Sequence, residues 1–349
     1  MCLPSRGYEE KMMRFVVFAD FHYKKGMYAP TIGRDLLPII ERARSSGADM
    51  IIHAGDLCND YFGSPELIDA LLRNRYDIPV FGAYGNHELE GAGNTMEVVT
   101  PRLANRPVVY GTPDGEFSAD IGYYHVDVDG YRFVFADTNY SLLDGEWVHN
   151  RPASWGAPKG AEFENSLGPA QLSWLERVLT DASENGLRCV VVSHAEFSGK
   201  NSPSPDADKV REIFRRVNEK RKTVILAING HYHTDNLFNM DRISYFDCNT
   251  VKNGFWMPME EQHYVPGQTF VYEDYDRNGT LTGESPRDLC SLSQAKNTWF
   301  FDKPLCAVIT IDDDEITIDG AQTSWMYDVV PETDIEGVRA EIISRAVRI

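Results

Sequence analysis

Five short apolar runs, each followed within a few residues by polar residues, constrain the fold of this chain more than any other feature of its sequence. Each run has the length of a single strand, and many of the residues are β-branched. None alternates polar with apolar residues, so each predicts a strand that is covered on both faces. The runs occupy residues 15–18, 50–52, 80–81, 190–192 and 224–226.

Helical patterns lie between several of these runs. Ser64 and Pro65 form a helix start, an N-cap residue followed by proline at the first helical position, and predict a helix to about residue 75. Apolar residues at helical spacing predict two more helices, over residues 171–182 and 206–220. Strands that alternate with helices indicate an α/β sandwich.

Other segments predict β-hairpins and a last helix. Residues 123–137 and 305–319 each read as two strands joined by a tight turn. Residues 333–347 predict a closing helix, because Thr333 and Glu336 have capping-box spacing before an apolar stripe.

These elements suggest a division of the chain, although its 349 residues fit one large domain or two ordinary ones. We expect a lead-in at residues 1–13, a core at 14–249 and a C-terminal extension at 250–349 packed on that core. Two long segments look like insertions, one at 139–167 within the core and one at 250–304 at the start of the extension. Long loops of this kind usually carry function, so we expect them to decide the substrate.

The formal net charge of −19 restricts the partners of the chain. An acidic surface repels nucleic-acid phosphates and anionic lipids, so a broad nucleic-acid surface is not expected. A small phosphorylated substrate, such as a nucleotide, remains compatible with this charge, because bound cations can reverse the field of one pocket. No segment has the run of about 20 apolar residues that spans a membrane, and a cytoplasmic protein is expected. The sequence does not predict an oligomeric state.

The polar residues that follow the five apolar runs are candidates for a metal site. In open α/β sheets, sites assemble beyond the carboxyl ends of the strands, so these residues can converge on one pocket. Their carboxylate, amide and imidazole groups suit borderline transition metals such as Mn, Fe or Zn. In chain order they are Asp20, His22, Asp56, Asn86, His194, His231 and His233.

The ordered set resembles the calcineurin-like metallophosphoesterase superfamily. The motifs of that family are D-x-H, G-D, G-N-H-[ED], a single H and G-H-x-H, and here they read Asp20-Phe21-His22, Gly55-Asp56, Gly85-Asn86-His87-Glu88, His194 and Gly230-His231-Tyr232-His233. The resemblance spans about residues 14–235. It implies a four-layer α/β/β/α sandwich of two mixed β-sheets flanked by helices, to which this chain would add C-terminal β-rich elements.

The resemblance also implies a role for each candidate. Asp20, His22 and His233 would hold one of two divalent ions, which would be Mn, Fe or Zn. Asn86, His194 and His231 would hold the other, and Asp56 would bridge both. Asn86 and His87 would face the substrate phosphate.

The implied reaction is hydrolysis of a phosphoester by a hydroxide that bridges the two metals. His87 would act as general acid towards the leaving oxygen, a role that contributes about 10²–10⁴-fold. A protonated histidine needs a partner, and Asp60 is the expected orienting residue, with Glu88 as the other candidate.

The substrate class is less constrained than the reaction. The arginines that protein Ser/Thr phosphatases of this family place after the bridging Asp and before the Asn are absent here, where Asn59, Asp60 and Tyr84 stand nearby. A phosphodiester is therefore favoured, since it carries less charge than a monoester. Alternatives are a phosphomonoesterase or protein phosphatase using the same site, and a non-catalytic metal-binding scaffold on the same fold.

Overall fold

The computed structural model describes residues 12–24, 29–61, 63–91, 93–150, 158–201, 203–256, 262–276 and 280–349. Most of the expected lead-in at residues 1–13 lies outside these ranges.

Eleven strands, which include the five predicted apolar runs, lie between residues 13 and 229 of the described chain. They are β1 (Met13–Phe18), β2 (Met50–His53), β3 (Val80–Gly82), β4 (Val109–Tyr110), β5 (Tyr124–Val128), β6 (Tyr131–Phe135), β7 (Tyr140–Leu143), β8 (Glu146–His149), β9 (Glu162–Ser166), β10 (Arg188–Val192) and β11 (Val224–Asn229).

The other eleven strands of the described chain lie between residues 236 and 348. These are β12 (Asn236–Met240), β13 (Ile243–Asp247), β14 (Asn253–Trp256), β15 (Thr269–Tyr275), β16 (Leu281–Asp288), β17 (Thr298–Phe300), β18 (Ala307–Ile311), β19 (Glu315–Asp319), β20 (Ala321–Gln322), β21 (Glu341–Ile342) and β22 (Arg345–Arg348).

The α-helices include the three predicted ones. They are α1 (Leu37–Ser46), α2 (Pro65–Leu72), α3 (Met96–Val99), α4 (Gly168–Glu184) and α5 (Ala207–Asn218). A π-helical turn at Ile32–Leu36 precedes α1, and single 3-10 turns lie at Thr100–Arg102, Leu289–Ser291, Ser293–Lys296 and Met326–Asp328.

Two mixed sheets face each other, as the family resemblance implied. The first has the strand order β22-β19-β18-β1-β2-β3 and the second β12-β13-β11-β10-β6-β5-β4. Their facing surfaces form one apolar core, in which the rings of Phe15 and Phe133 meet edge to face at 5.4 Å. Helix α1 packs on β1 and β2, while α4 and α5 cover a second apolar cluster on the outer face of the second sheet. The four-layer sandwich is confirmed.

Strand direction brings the candidate residues to one edge of the fold. β1, β2 and β3 run parallel, and so do β6, β10, β11 and β13. The carboxyl ends of parallel neighbours lie at the same edge of a sheet, so the loops that follow these strands are brought together there.

Three strands of the C-terminal extension, β18, β19 and β22, join the first sheet, while β14 pairs with β17 and β15 with β16 in small sheets of their own. The predicted hairpin at residues 305–319 is confirmed as β18 and β19, and β18 pairs antiparallel with β1. The hairpin predicted at residues 123–137 is confirmed as β5 and β6.

The predicted closing helix at residues 333–347 was wrong. Glu341–Ile342 forms β21 and pairs with β20, and Arg345–Arg348 forms β22 and pairs with β19. Gly337 has a φ of +85°, which no helix interior contains. Pairing with an existing sheet edge outweighs the weak helical pattern, and a bidentate ion pair of Arg345 with Asp235 fixes the strand.

The described residues of the insertion at 139–167 include a small three-stranded sheet. Its strand order is β8-β7-β9, with both neighbours antiparallel to β7. In the part of the chain described here, no helix is long and apolar enough to cross a membrane.

If the C-terminal strands are integral to the fold, shortening a buried side chain there should be costly. Ile318 is fully buried on β19, so Ile318→Ala should lower the free energy of unfolding by about 2–5 kcal/mol in urea denaturation. Thr317→Ala, at the exposed neighbouring position, is the matched control and should change it by less than about 0.5 kcal/mol. Equally small effects of both substitutions on the free energy of unfolding would mean that β19 does not belong to the core.

Candidate metal centre

The loops after five strands bring the seven predicted ligands together. Asp20 and His22 follow β1, Asp56 follows β2, and Asn86 follows β3. His194 follows β10, and His231 and His233 follow β11. The side chains of Asp20, His22, Asp56, His194 and His233 are buried, while Asn86 and His231 stay partly exposed. The site is therefore a deep group of ligands with an open side.

Asp20, His22 and His233 form a first group of converging donor atoms. Nε2 of His22 lies 3.2 Å from Nε2 of His233 and 3.8 Å from Oδ1 of Asp20. Nε2 of His233 lies 3.3 Å from the same carboxylate oxygen. Atoms that bind one ion at about 2.1 Å lie about 3–4 Å from one another, so this spacing fits a single metal ion.

Asn86, His194 and His231 form a second group with the same spacing. Oδ1 of Asn86 lies 3.1 Å from Nε2 of His194 and 3.1 Å from Nδ1 of His231. The two imidazole nitrogens are 3.2 Å apart. An amide oxygen and two imidazoles suit Mn, Fe or Zn.

The Asp56 carboxylate lies between the two groups. Its Oδ2 is 3.1 Å from Nε2 of His194 and 3.7 Å from Nε2 of His22. One oxygen within reach of both groups is what a carboxylate shared by two ions requires. The geometry therefore supports the bridging role expected for Asp56.

Hydrogen bonds on the far side of three histidines leave one ring nitrogen of each directed into the site. Nδ1 of His194 lies 2.8 Å from the carbonyl oxygen of Ala54, and Nδ1 of His233 lies 2.7 Å from that of Asn253. Nδ1 of His22 lies 3.1 Å from Oδ1 of Asn59. Metal-ligating histidines almost always donate their other N–H in this way, so the residues present fit a metal site.

The backbone of the site is held in an unfavourable conformation. Five of the seven candidates have left-handed φ angles between 50° and 71°, namely Asp20, His22, Asp56, His231 and His233. Each such residue costs about 1–3 kcal/mol and persists only where the surroundings enforce it. Gly85 allows the close packing, because a Cβ there would lie 2.0 Å from Oδ1 of Asp56.

Mutual charge sets the protonation of the buried groups. Burial alone would lower the pKa of His194, but attraction to Asp56 and a hydrogen bond with it raise that pKa to about 10. Burial lowers the pKa of His22 to about 3, and burial together with the charge of His194 lowers that of His231 to about 4. Without metal, the His194 ring is thus protonated at neutral pH.

His87 lies beside the two groups, but its partner differs from the expected one. Nε2 of His87 is 3.9 Å from Oδ2 of Asp56, and Nδ1 is 2.8 Å from Oε1 of Glu90. Asp60 instead accepts a hydrogen bond from the backbone N–H of Gly63 at 2.8 Å.

Glu88, the other expected partner of His87, supports the Asp56 loop. Its carboxylate accepts the backbone N–H groups of Asp56, Leu57 and Gly85 at 2.7–3.0 Å. Sequence reasoning missed Glu90, although His87-x-x-Glu90 spacing within one turn was visible. Asn59 completes the arrangement by donating to Oε2 of Glu90 at 2.9 Å.

Comparisons with known proteins agree with this geometry. The calcineurin-like phosphoesterase family matches residues 13–235. A manganese-dependent ADP-ribose/CDP-alcohol diphosphatase from Arabidopsis thaliana is 22% identical over 263 residues, covering 66% of this chain and 82% of that protein. The crystal structure of a dimetal phosphatase from Danio rerio covers 90% of this chain and 98% of its own, with 14% identity and a TM-score of 0.53.

The structural likeness shows that the fold is shared, and the family match spans well over half of the 349 residues. That match contains all five strand-end motifs and ends two residues after His233. The chain therefore belongs to the calcineurin-like phosphoesterase family and is a metal-dependent phosphoesterase.

Proposed function

We propose that this protein hydrolyses phosphorus centres with two ester or anhydride substituents, using two divalent ions. Asp20, His22 and His233 would hold one ion, Asn86, His194 and His231 the other, and Asp56 both. The observation that carries the proposal is the position of the Asp56 carboxylate between two groups of three donor atoms, each with the spacing that one ion needs. The manganese dependence named for the Arabidopsis relative makes Mn the first ion to test, with Fe and Zn as alternatives.

Two bound divalent ions supply charge neutralisation at the phosphoryl oxygens and lower the pKa of water towards neutrality. The protein's own contribution is to hold these ligands in place before substrate arrives. Buried carbonyl and amide groups fix the imidazole rings, and Glu88 fixes the backbone at Asp56. Asn86 remains partly exposed at the open side, where a substrate phosphate would meet it.

His87 is the proposed general acid. Burial alone would lower its pKa, but attraction to Asp56 and a hydrogen bond with Glu90 raise that pKa above the ordinary value. This shift favours the protonated ring, which can donate its proton to the leaving oxygen. Glu90 is the proposed orienting residue, because its bond to Nδ1 leaves Nε2 facing the metal site.

The preference for disubstituted phosphorus rests on charge. Residues 57–61 and 84–85, which flank Asp56 and Asn86, contain no arginine to grip the dianion of a monoester. A phosphodiester carries one negative charge per phosphorus, and so does each phosphorus of a nucleoside diphosphate conjugate. The Arabidopsis relative is named for two substrates of the latter kind, which supports a small nucleotide-like substrate here.

A substrate panel tests this assignment. Mn-loaded protein should be compared on bis-nitrophenyl phosphate, nitrophenyl phosphate, ADP-ribose, a cyclic nucleotide and a phosphopeptide. We expect kcat/KM for disubstituted phosphorus to exceed that for the monoesters by about tenfold or more, or about 1.4 kcal/mol in the transition state. A preference for the nitrophenyl monoester or the phosphopeptide would contradict the charge argument.

Replacing His87 should separate chemistry from metal binding. His87→Ala should lower kcat by about 10²–10⁴-fold, because the leaving oxygen loses its proton donor. Metal analysis should still find two ions per chain, since His87 is not one of the seven proposed ligands. Unchanged kcat, or loss of an ion, would remove His87 from the proposed role.

Matched substitutions of Glu90 and Asp60 test which carboxylate orients His87 for the proton transfer. Glu90→Gln removes one of the two charges that favour a proton on His87, so the alkaline limb of the kcat profile should move to lower pH. Asp60→Asn, at the partner expected from sequence alone, should leave that limb in place. The reverse pattern would restore Asp60 as the orienting residue.

Metal uptake should release a proton. The pKa of His194 is raised to about 10 in the metal-free site, so its ring is charged at pH 7 and must become neutral to bind an ion. Titration calorimetry with Mn²⁺ in two buffers of different ionisation enthalpy should show this release, and affinity should rise by about tenfold per pH unit from pH 6 to 8. His194→Gln should release no such proton; an equal release would place the proton elsewhere.

A further inference from the structure

The loop after β6, residues Asp137, Thr138 and Asn139, is a sixth strand-end segment at this edge of the fold. It contains none of the five family motifs, and all three side chains are buried. The Nδ2 group of Asn139 donates to the carbonyl oxygen of Gly85 at 3.2 Å. Oγ1 of Thr138 accepts the backbone N–H of Ala195, also at 3.2 Å.

These two contacts reach the loops that carry two ligands of the same ion. Gly85 directly precedes Asn86, and Ala195 directly follows His194. We propose that Thr138 and Asn139 are positioning residues for the ion held by Asn86, His194 and His231, which makes that ion separable from the other one. This inference rests on the ligand assignment in the proposed function.

The segment is itself held rigidly, which it must be in order to position anything. The Asp137 carboxylate accepts both the backbone N–H and the Nδ2 group of Asn139, at 3.0 and 2.9 Å. Its other oxygen lies 2.8 Å from Nε2 of His149, on β8 of the insertion. The side chain of Gln171, on α4, bonds both the N–H and the carbonyl of Asp137, at 2.8 and 2.7 Å.

The first group of ligands has different supports. Asn59 and the carbonyl of Asn253 hold His22 and His233, and Thr250 donates to the backbone carbonyl of Asp20 at 2.7 Å. These contacts come from the Asp56 loop and from the C-terminal extension. A change at Asn139 should therefore lower the affinity for the ion held by the second group and leave the affinity for the other ion unchanged.

The test is Mn²⁺ binding by equilibrium dialysis on the full chain, with Asn139→Ala and Thr138→Val. Loss of an outer contact of this kind typically lowers metal affinity by about 10–100-fold. We expect the wild-type protein to bind two ions. Asn139→Ala should bind one ion with unchanged affinity and the other with an affinity lowered by that factor. Thr138→Val should show the same pattern in milder form, and it keeps the inference testable if Asn139→Ala folds poorly.

Asn105→Ala is the matched control for general loosening. The Asn105 side chain also donates to a backbone carbonyl, that of Leu72 at 2.8 Å, and accepts the N–H of Val80 at 2.7 Å at the opposite end of β3. This variant should lose thermal stability in the metal-free state yet keep both affinities. If it weakens Mn²⁺ binding as Asn139→Ala does, the effect is one of stability and the inference fails.

Double variants identify which ion is affected. The His22→Ala background leaves only the second group complete. On that background, Asn139→Ala should lower the affinity for the remaining ion by the full factor. On a His194→Ala background it should have no further effect. Equal weakening on both backgrounds would overturn the inference, whereas two ions retained by His194→Ala alone would overturn the ligand assignment beneath it.

Discussion

The Asp56 carboxylate lies between two groups of imidazole and oxygen ligands, and the remainder of the site is arranged around it. One of its oxygens faces His194 and His22, and the other accepts the backbone N–H of His87 at 2.8 Å. Its own backbone is left-handed and is anchored by the buried Glu88 carboxylate. A single side chain thus connects both proposed ions and the proposed general acid, which explains why the surrounding loops leave it so little freedom.

Such a site is destabilising by itself. It gathers buried carboxylates and imidazoles, places five residues at positive φ and needs a glycine where no Cβ fits. The apolar core between the two sheets supplies the compensating stability, and its strands run directly into the ligand loops. Bound cations would offset part of the remaining cost, because they neutralise the carboxylates that face them. The strain and the function therefore belong to the same residues.

Much of this arrangement could be predicted from the sequence, because the information is local. Unbroken apolar runs predicted the buried strands, and the polar residue after each run predicted where Asp20, Asn86 and His194 would meet. The two hairpins with tight turns, at residues 123–137 and 305–319, were predicted from equally local patterns. The closing helix was predicted wrongly because residues 333–347 carry a weak helical pattern, and the sheet edge at β19 that captures them is distant in sequence. Glu90 was missed although its spacing of three residues from His87 was visible. The loop after β6 was missed because its contacts to Gly85 and Ala195 depend on where loops cross and not on any spacing.

The central claim is that two ions share Asp56, with three further ligands each, and anomalous diffraction at the manganese edge tests it most directly. Crystals of the protein grown with Mn²⁺ should show two peaks about 3.5–4 Å apart. One peak should contact Asp20, His22 and His233, the other Asn86, His194 and His231, and both should contact Asp56. A single peak, or two peaks that Asp56 does not join, would contradict the account.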